Sequence, residues 1–238
     1  MAIGMDRILV TGANGFIGGA VFRHLAEGGC EVYGLDRQRP TGLPANAAWI
    51  DLDLTGEQTR NQLDSLPRFD AVVHCAAVIP SSFTGQSAEF SRRMNMLIDG
   101  NVVDFCRRRE SRLIYCSGTA VYGFTAGATA VEDHSGDPSI SPYISAKMQT
   151  EDLIREKLTS YSILRICAPY GPNQKARTVM RIFIECAQNG SPLTYHGSGA
   201  REQDFVHVED VRAAILSAVC RPLVRGVCNI AGGAPISM

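Results

Sequence analysis

The fold is decided by the stretch Arg7-Ile8-Leu9-Val10-Thr11-Gly12-Ala13-Asn14-Gly15-Phe16-Ile17-Gly18. Its first five residues form a short apolar run that predicts a buried β-strand. Three glycines follow in the spacing G-x-x-G-x-x-G. The sequence then predicts a helix over Phe16–Glu27, which ends at a pair of glycines. A strand that turns through glycines directly into a helix is typical of a dinucleotide-binding turn.

The chemistry of such a turn explains its residues. Glycine permits positive φ and has no Cβ, so a pyrophosphate can approach the backbone. The exposed N–H groups and the dipole of the following helix favour an anion. The predicted phosphate-binding residues are Gly12, Asn14, Gly15, Phe16, Ile17 and Gly18.

Strands and helices alternate over the first 170 residues. Predicted strands are Arg7–Thr11, Glu31–Asp36, Trp49–Asp53, Asp70–Cys75, Arg112–Cys116 and Ser162–Ile166, and predicted long helices are Ala88–Arg109 and Pro142–Leu158. Continuous apolar strands separated by helices predict the α/β class: a Rossmann-type, doubly wound parallel sheet. The expected division is a dinucleotide-binding domain over residues 1–170 and a small, shortened substrate-binding region over residues 171–238.

After residue 170 the regular alternation of predicted strands and helices ends. This region predicts helices over Ala176–Gln188 and Glu209–Cys220, and short strands over Pro192–Tyr195 and Gly226–Ile230. Its pattern is less regular than that of the first 170 residues.

Composition excludes several function classes. Hydrophobic residues make up 45% of the 238 residues, and the net charge is -1, which argues against disorder and against bulk nucleic-acid binding. No apolar run is long enough to cross a membrane, and the first seven residues do not resemble a secretory signal. The eight cysteines include no C-x-x-C pair, which favours buried thiols in a reducing, cytoplasmic compartment and no metal site.

Asp36 ends the second predicted strand, 18 positions after Gly18. A carboxylate there accepts hydrogen bonds from adenosine ribose hydroxyls and repels a 2′-phosphate, which favours NAD over NADP. The adjacent Arg37 leaves both cofactors open, since it can stack on adenine or pair with a 2′-phosphate. Asp53 is predicted to accept from the adenine amino group, with a plain turn aspartate as the open alternative.

Tyr143 and Lys147 have the spacing Y-x-x-x-K on a predicted helix. Positions i and i+4 share a helix face, and an ammonium beside a phenol favours the phenolate. Tyr143 is therefore a candidate acid or base for a sugar hydroxyl, and Lys147 a candidate to hold the nicotinamide ribose.

These motifs occur together with others in a known order. The further ones are Val73-His74-Cys75-Ala76-Ala77, Asn95 with Asn101-Val102-Val103, Tyr115 to Gly123, Arg165, Pro169-Tyr170-Gly171-Pro172 and Asp204 to Val211. With them the chain resembles the extended short-chain dehydrogenase/reductases, specifically the NAD-dependent nucleotide-sugar epimerase/dehydratase group. The resemblance covers nearly the whole chain and is much less specific for the substrate.

The resemblance implies an activity. NAD would lie across the ends of the parallel strands, and Tyr143 would take a proton from the sugar 4-hydroxyl while hydride passes to NAD, giving a 4-keto sugar. The implied cofactor site adds Leu54, Cys75, Ala76, Ala77, Asn95, Cys116, Ser117 and Ile166 to Tyr143 and Lys147. A homodimer through a four-helix interface is implied for the helices over residues 88–109 and 142–158.

The chain also departs from the family's pattern. Gly118 stands where the family carries its active-site Ser or Thr, so the third catalytic hydroxyl is assigned to Ser117, with Thr119 second. Thr119-Ala120-Val121 lacks the carboxylates of the 4,6-dehydratases, which leaves epimerisation or reduction at C4.

The substrate side departs too. Ala168 and Gln203 occupy positions where the family has a substrate-binding asparagine and an arginine, so diphosphate recognition is assigned to Arg177 or Arg201. Relatives continue for several tens of residues after a segment like Asn229–Gly233, so the sugar pocket is expected to be more open here. The predicted function is a nucleotide-sugar 4-epimerase, with a 4-ketoreductase or a non-catalytic dinucleotide-binding subunit or sensor as alternatives.

Overall fold

The computed structural model describes residues 7–80, 87–123, 129–134, 136–194, 199, 202–221 and 225–237. The strands are β1 (Arg7–Thr11), β2 (Glu31–Asp36), β3 (Ala47–Asp51), β4 (Ala71–His74), β5 (Arg112–Gly118), β6 (Tyr161–Ile166), β7 (Pro169–Tyr170), β8 (Glu202–Gln203), β9 (Val206–His207), β10 (Gly226–Ile230) and β11 (Ile236–Ser237). The helices are α1 (Phe16–Glu27), α2 (Thr59–Asp64), α3 (Ala88–Arg109), α4 (Pro142–Lys157), α5 (Val179–Gln188) and α6 (Val208–Cys220), with a 3₁₀ helix over Thr119–Tyr122.

Seven strands form one parallel sheet in the order β10-β6-β5-β4-β1-β2-β3. The order reverses between β1 and β4, so the two strands leave a crevice at their carboxyl ends, where ligands bind in open α/β sheets. The predicted Rossmann-type, doubly wound sheet is confirmed.

Apolar side chains cover both faces of the sheet. On one face, β-strand residues such as Val10 and Ile114 pack with Val21 of α1 and Ile215 of α6. On the other face, residues such as Leu113 pack against α2, α3 and α4. Because both faces are buried, the strands read as unbroken apolar runs in the sequence.

Most predicted elements are present, with ends that differ by one to three residues. The third strand spans Ala47–Asp51 rather than Trp49–Asp53, and α5 begins at Val179 because Thr178 caps it. The strand predicted over Pro192–Tyr195 is wrong: residues 192–194 lie in no strand, and Tyr195 is outside the described residues. Pro192 has no N–H to donate to a strand ladder.

The last third of the chain adds a strand to the parallel sheet. β10 pairs in parallel with β6, from Gly226 beside Ser162 to Ile230 beside Ile166, and α6 packs against α1. The division near residue 170 stays a prediction. Within the described parts of the chain, no helix is long and apolar enough to cross a membrane.

Candidate active site

The turn after β1 presses against the chain that follows β4. Gly12 has φ +68°, and a Cβ at this position would lie 2.7 Å from the backbone nitrogen of Ala76. A side chain would therefore be strained by both the conformation and the lack of space. Because Gly12 has no side chain, the turn after β1 lies against residues 75 and 76, at the carboxyl ends of the neighbouring strands β1 and β4.

Helix α1 offers its N-terminus to an anion. Its N-cap is Gly15, no side chain accepts a hydrogen bond there, and its first turn holds no acidic residue. The unsatisfied N–H groups of a helix start need an acceptor, and a pyrophosphate supplies one. Together with the close packing of Gly18 against the Gly12 carbonyl, these features fit a dinucleotide.

Asp36 lies where the sequence predicted it, at the carboxyl end of β2. Its Oδ2 accepts from the backbone N–H of Asn14 at 3.1 Å, and its Oδ1 accepts from that of Arg37 at 2.7 Å. The carboxylate thus holds the glycine turn, and its oxygens keep further lone pairs that can accept hydrogen bonds; its contact with a ribose stays a prediction. Arg37 itself is exposed.

Asp53 lies two residues beyond the end of β3 and caps its own turn. Its Oδ1 accepts from the backbone N–H and the hydroxyl of Thr55, at 2.9 and 2.7 Å. Burial alone would raise the pKa of Asp53, but these bonds hold it below the usual value. The contacts support the turn-aspartate alternative, and a contact with adenine stays a prediction.

The other predicted cofactor residues differ in how deeply their side chains are buried. Asn95 is fully buried and clamps the backbone of Val78, accepting from its N–H at 2.8 Å and donating to its carbonyl at 2.9 Å. The sulfur atoms of Cys75 and Cys116, at the ends of neighbouring strands, lie 3.4 Å apart. Ala77 is exposed, whereas Leu54 and Ile166 are buried in the core.

Tyr143 and Lys147 both lie near the start of α4. Ser141 caps this helix by accepting from the N–H of Ile144, and Pro142 fits the first turn. Tyr143 is half-buried, whereas the ammonium of Lys147 is buried and donates to the phenolic oxygen of Tyr115 at 3.0 Å and to the Cys116 carbonyl at 3.3 Å. The predicted pair is therefore on one helix face, with the lysine held from β5.

A buried polar cluster continues from that lysine and was not foreseen from the sequence. Tyr115 donates to Oδ2 of Asp99 at 2.8 Å, and Asp99 Oδ1 lies 3.0 Å from Nε2 of His74. His74 is 1% exposed. The one available signal was a carboxylate on the apolar face of α3, beside Ile98 and Val102.

Ser117, the first choice for the third catalytic hydroxyl, uses its hydroxyl in a hydrogen bond to another side chain. Its Oγ donates to Oε1 of Glu151 at 2.7 Å, and Glu151 is also bonded to Arg165 at 2.7 Å and 3.1 Å. Thr119 begins the 3₁₀ helix at the end of β5 and is half-buried. The assignment of the hydroxyl stays a prediction, and these contacts favour Thr119.

Replacing Glu151 with glutamine is expected to lower the free energy of unfolding by about 3 kcal/mol at pH 7, because Arg165 loses its buried partner. Burial would raise the pKa of Glu151, but hydrogen bonds from Arg165 and Ser117 hold it below the usual value. The contribution is therefore present above about pH 4.3 and is lost as pH falls through the folded-state pKa. Urea unfolding at pH 7 and pH 3.5 measures both effects.

The control for that variant is Glu156→Gln, which removes an exposed carboxylate of the same helix. It should change stability by less than about 0.5 kcal/mol. An equal loss in the two variants would contradict a special role of the Glu151–Arg165 pair.

Of the predicted substrate residues, Gln203 lies close to Ala168, since its Nε2 is 3.8 Å from the sulfur of the preceding Cys167. Ala168 is half-buried, and its carbonyl lies 3.5 Å from the N–H of Val206. Gln203 donates to the carbonyl of Asp204 at 3.3 Å, and Arg177 lies 3.6 Å from Glu185. Arg201 is outside the described residues. Substrate roles for these four residues stay predictions.

A cavity of about 470 Å³ lies on the side of α4 that carries Glu151. It is lined by Glu132, His134, Arg155 and Arg165 among others, and none of its lining residues belongs to the predicted cofactor site. Among the described residues, no three His, Cys, Asp or Glu side chains are placed to hold a metal ion.

Comparison with known proteins identifies the family. The sequence profile of the NAD dependent epimerase/dehydratase family matches residues 8–231. A dTDP-glucose 4,6-dehydratase of Neisseria gonorrhoeae is 30% identical over 96% of this chain and 73% of its own length. A trifunctional UDP-glucose 4,6-dehydratase/UDP-4-keto-6-deoxy-D-glucose 3,5-epimerase/UDP-4-keto-L-rhamnose-reductase of Arabidopsis thaliana is 28% identical, and the chain spans only 36% of it.

Solved structures agree. The UDP-glucose 4-epimerase of Thermus thermophilus, in complex with NAD, superposes with a TM-score of 0.83 at 26% identity, covering 97% of this chain and 79% of that one. NAD is thus the cofactor of the family, as the sequence predicted. The resemblance drawn from the motifs is confirmed: the chain belongs to the NAD dependent epimerase/dehydratase family.

Proposed function

We propose that this chain is a nucleotide-sugar 4-epimerase that uses NAD. The observation that carries the proposal is the placement of Tyr143 and Lys147 on the first turns of α4. Lys147 donates to the carbonyl of Cys116, whose sulfur contacts that of Cys75, and the glycine turn that fits a dinucleotide packs against residues 75 and 76. A dehydratase needs an acid and a base to remove water from the sugar, and the 3₁₀ helix at the end of β5 carries no carboxylate. The relatives include both reactions, so the distinction rests on these residues.

The proposed mechanism assigns each residue a task. The glycine turn and the start of α1 would hold the pyrophosphate, and Asp36 would accept from the adenosine ribose. When bound there, NAD would supply the acceptor for the hydride of the sugar C4 and the donor for its return. Tyr143 removes the proton of the sugar 4-hydroxyl, and it gives the proton back after the 4-keto sugar has presented its other face. Lys147 holds a positive charge beside the phenolic oxygen throughout.

The test is incubation of the purified protein with UDP-, GDP- and dTDP-sugars, followed by mass spectrometry and NMR of the products. A 4-epimerase gives the C4-inverted sugar at unchanged mass and needs no added reductant. A product lighter by one water would reveal a dehydratase instead. Consumption of NADH in proportion to product would reveal a 4-ketoreductase.

Gly118 favours a second candidate, a dinucleotide-binding subunit or sensor without turnover. It occupies the end of β5 where the family carries a hydroxyl. NAD binding in calorimetry without reaction of any sugar, or co-purification with a longer homologous subunit, would support this candidate.

The variant Gly118→Ser tests how much that missing hydroxyl matters. A Cβ at Gly118 would lie 3.7 Å from the carbonyl oxygen of Ile166, and the backbone is extended with φ −142°, so a side chain fits. We expect kcat to rise about tenfold, since a hydroxyl can share the proton of the sugar alcohol. Gly118→Ala fills the same space without the hydroxyl and should not raise kcat; an equal rise in both would contradict the prediction.

The proposal includes a homodimer formed by α3 and α4. These helices pack against each other, and α3 exposes Phe90 and Leu97, which lie seven positions apart on one helix face. Sedimentation velocity gives the mass in solution. The cytoplasmic location is part of the same proposal, because the cysteines are free thiols.

A further inference from the structure

The ammonium of Lys147 is 5% exposed and needs negative charge nearby. The hydrogen bonds lead from it to one carboxylate. Lys147 donates to the oxygen of Tyr115 at 3.0 Å, and the Tyr115 hydroxyl donates to Oδ2 of Asp99 at 2.8 Å. Asp99 is 1% exposed and lies on α3, the helix that packs against α4.

Both carboxylate oxygens of Asp99 have hydrogen-bond partners. Thr150, one turn beyond Lys147 on α4, donates to the same Oδ2 at 2.8 Å. The ring of His74 donates from Nε2 to Oδ1 at 3.0 Å, and its Nδ1 accepts from Thr11 at 2.6 Å. With these partners the carboxylate is held as an anion in one orientation.

The far end of this chain of bonds lies at the cofactor turn. The Thr11 hydroxyl oxygen accepts from the backbone N–H of Ala76 at 3.3 Å, and Ala76 is the residue against which Gly12 is packed. Asp99 is therefore linked by hydrogen bonds in two directions. Tyr115 connects it to Lys147, and His74 and Thr11 connect it to the segment beside the glycine turn.

Several groups face the lysine from the elements around it. They are Tyr115 on β5, Asp99 on α3, Tyr143 on α4 itself and Cys75 after β4. Burial alone would lower the pKa of Lys147, but the oxygens of Tyr115 and Asp99 raise it well above the usual value. Burial would raise the pKa of Asp99, yet Lys147 and His74 hold it below the usual value.

We infer that Asp99 is a positioning residue for Lys147: through Tyr115 it fixes the ammonium beside Tyr143, keeps it charged, and ties it to the cofactor turn through His74 and Thr11. Asp99 touches neither cofactor nor substrate in this role. The catalytic part of the inference rests on the proposed function, whereas the effect on the lysine does not.

The direct test measures Lys147 by NMR, with the side-chain ¹³Cε as the probe. The chain has only three lysines, and Lys157→Arg and Lys175→Arg identify the signal of Lys147. In the wild-type protein this signal should not titrate below pH 10.5. In Asp99→Asn, burial is no longer offset by the carboxylate, and the signal should titrate below pH 10.5.

Two controls separate charge from packing. Asp104→Asn removes a carboxylate from an exposed part of the same helix and should leave the Lys147 titration unchanged. Thr150→Val removes one hydrogen bond from Asp99 but not its charge, and should also leave it unchanged. If Asp99→Asn is folded and its Lys147 signal still does not titrate below pH 10.5, the inference is wrong.

If Asp99→Asn does not fold, Tyr115→Phe carries the test, since it keeps the volume and removes only the bridging hydroxyl. The Lys147 signal should then titrate lower than in the wild type, and an unchanged titration would overturn the inference.

The activity arm uses whichever sugar the wild-type enzyme converts. In Asp99→Asn, the fall of kcat at high pH should move to lower pH by the same shift as the Lys147 titration, while KM changes less than threefold. If kcat falls equally at every pH, Asp99 serves only the structure. If the wild-type protein converts no sugar, the proposed function fails but the NMR titration still decides the role of Asp99.

Discussion

Replacing Tyr143 with phenylalanine is expected to lower kcat for C4 epimerisation by about a thousandfold, because the group proposed to take the proton of the sugar hydroxyl is lost. The change removes one oxygen atom from a half-buried side chain in the first turn of α4. Stability and the affinity for NAD should change little, since the helix cap at Ser141 and the bonds of Lys147 to Tyr115 and Cys116 remain. Initial rates with the converted sugar measure kcat, and calorimetric titration with NAD measures the affinity for the cofactor.

The control is Tyr161→Phe, the same loss of a hydroxyl from a half-buried tyrosine at the start of β6. This end of β6 lies opposite the carboxyl edge where the cofactor turn is found, so kcat should stay within about twofold. Retention of full turnover by Tyr143→Phe would contradict the acid–base role, and a parallel loss of NAD binding would point to a role in holding the cofactor instead.

The elements that the sequence predicted are those whose signals are local. The strand before Gly12 and the helix after it are adjacent in the chain, and Tyr143 and Lys147 are one helical turn apart. Spacing on a helix face and residue types in a turn follow from backbone geometry alone. The fold class follows from the repetition of such local signals.

Contacts between distant residues were not predictable in this way. Asp99 of α3 meets Tyr115 of β5 and His74 of β4 only because the helix packs against the sheet. Ser117 seemed available as a hydroxyl, but the strand places it beside Glu151, a partner that lies 34 positions later.

The last third of the chain shows the same limit. Its strand over Gly226–Ile230 was predicted, but the pairing with β6 brings together residues about 64 positions apart, and this depends on tertiary packing. Leu54 and Ile166 are predicted cofactor residues whose side chains are buried in the core, and their contact with NAD stays a prediction.

Replacing Gly18 with alanine is expected to weaken NAD binding at least a hundredfold. A Cβ at this position would lie 2.8 Å from the carbonyl carbon of Gly12 and closer still to its oxygen. Both are backbone atoms of the phosphate-binding turn, so the turn must move away from α1 rather than a side chain rotate. The N–H groups that would hold the pyrophosphate then lose their common orientation. Calorimetric titration with NAD measures the loss.

The matched control is Gly100→Ala, the same substitution at a glycine of α3 where a Cβ would meet no atom within 4 Å. Alanine favours the helix, so this variant should be unchanged or more stable by up to about 1 kcal/mol, with wild-type NAD affinity. Circular dichroism and urea unfolding show whether Gly18→Ala is folded. A folded Gly18→Ala protein with wild-type affinity would mean that the cofactor does not lie on this turn, and the roles derived for Asp36, Tyr143 and Lys147 from its position would lose their basis.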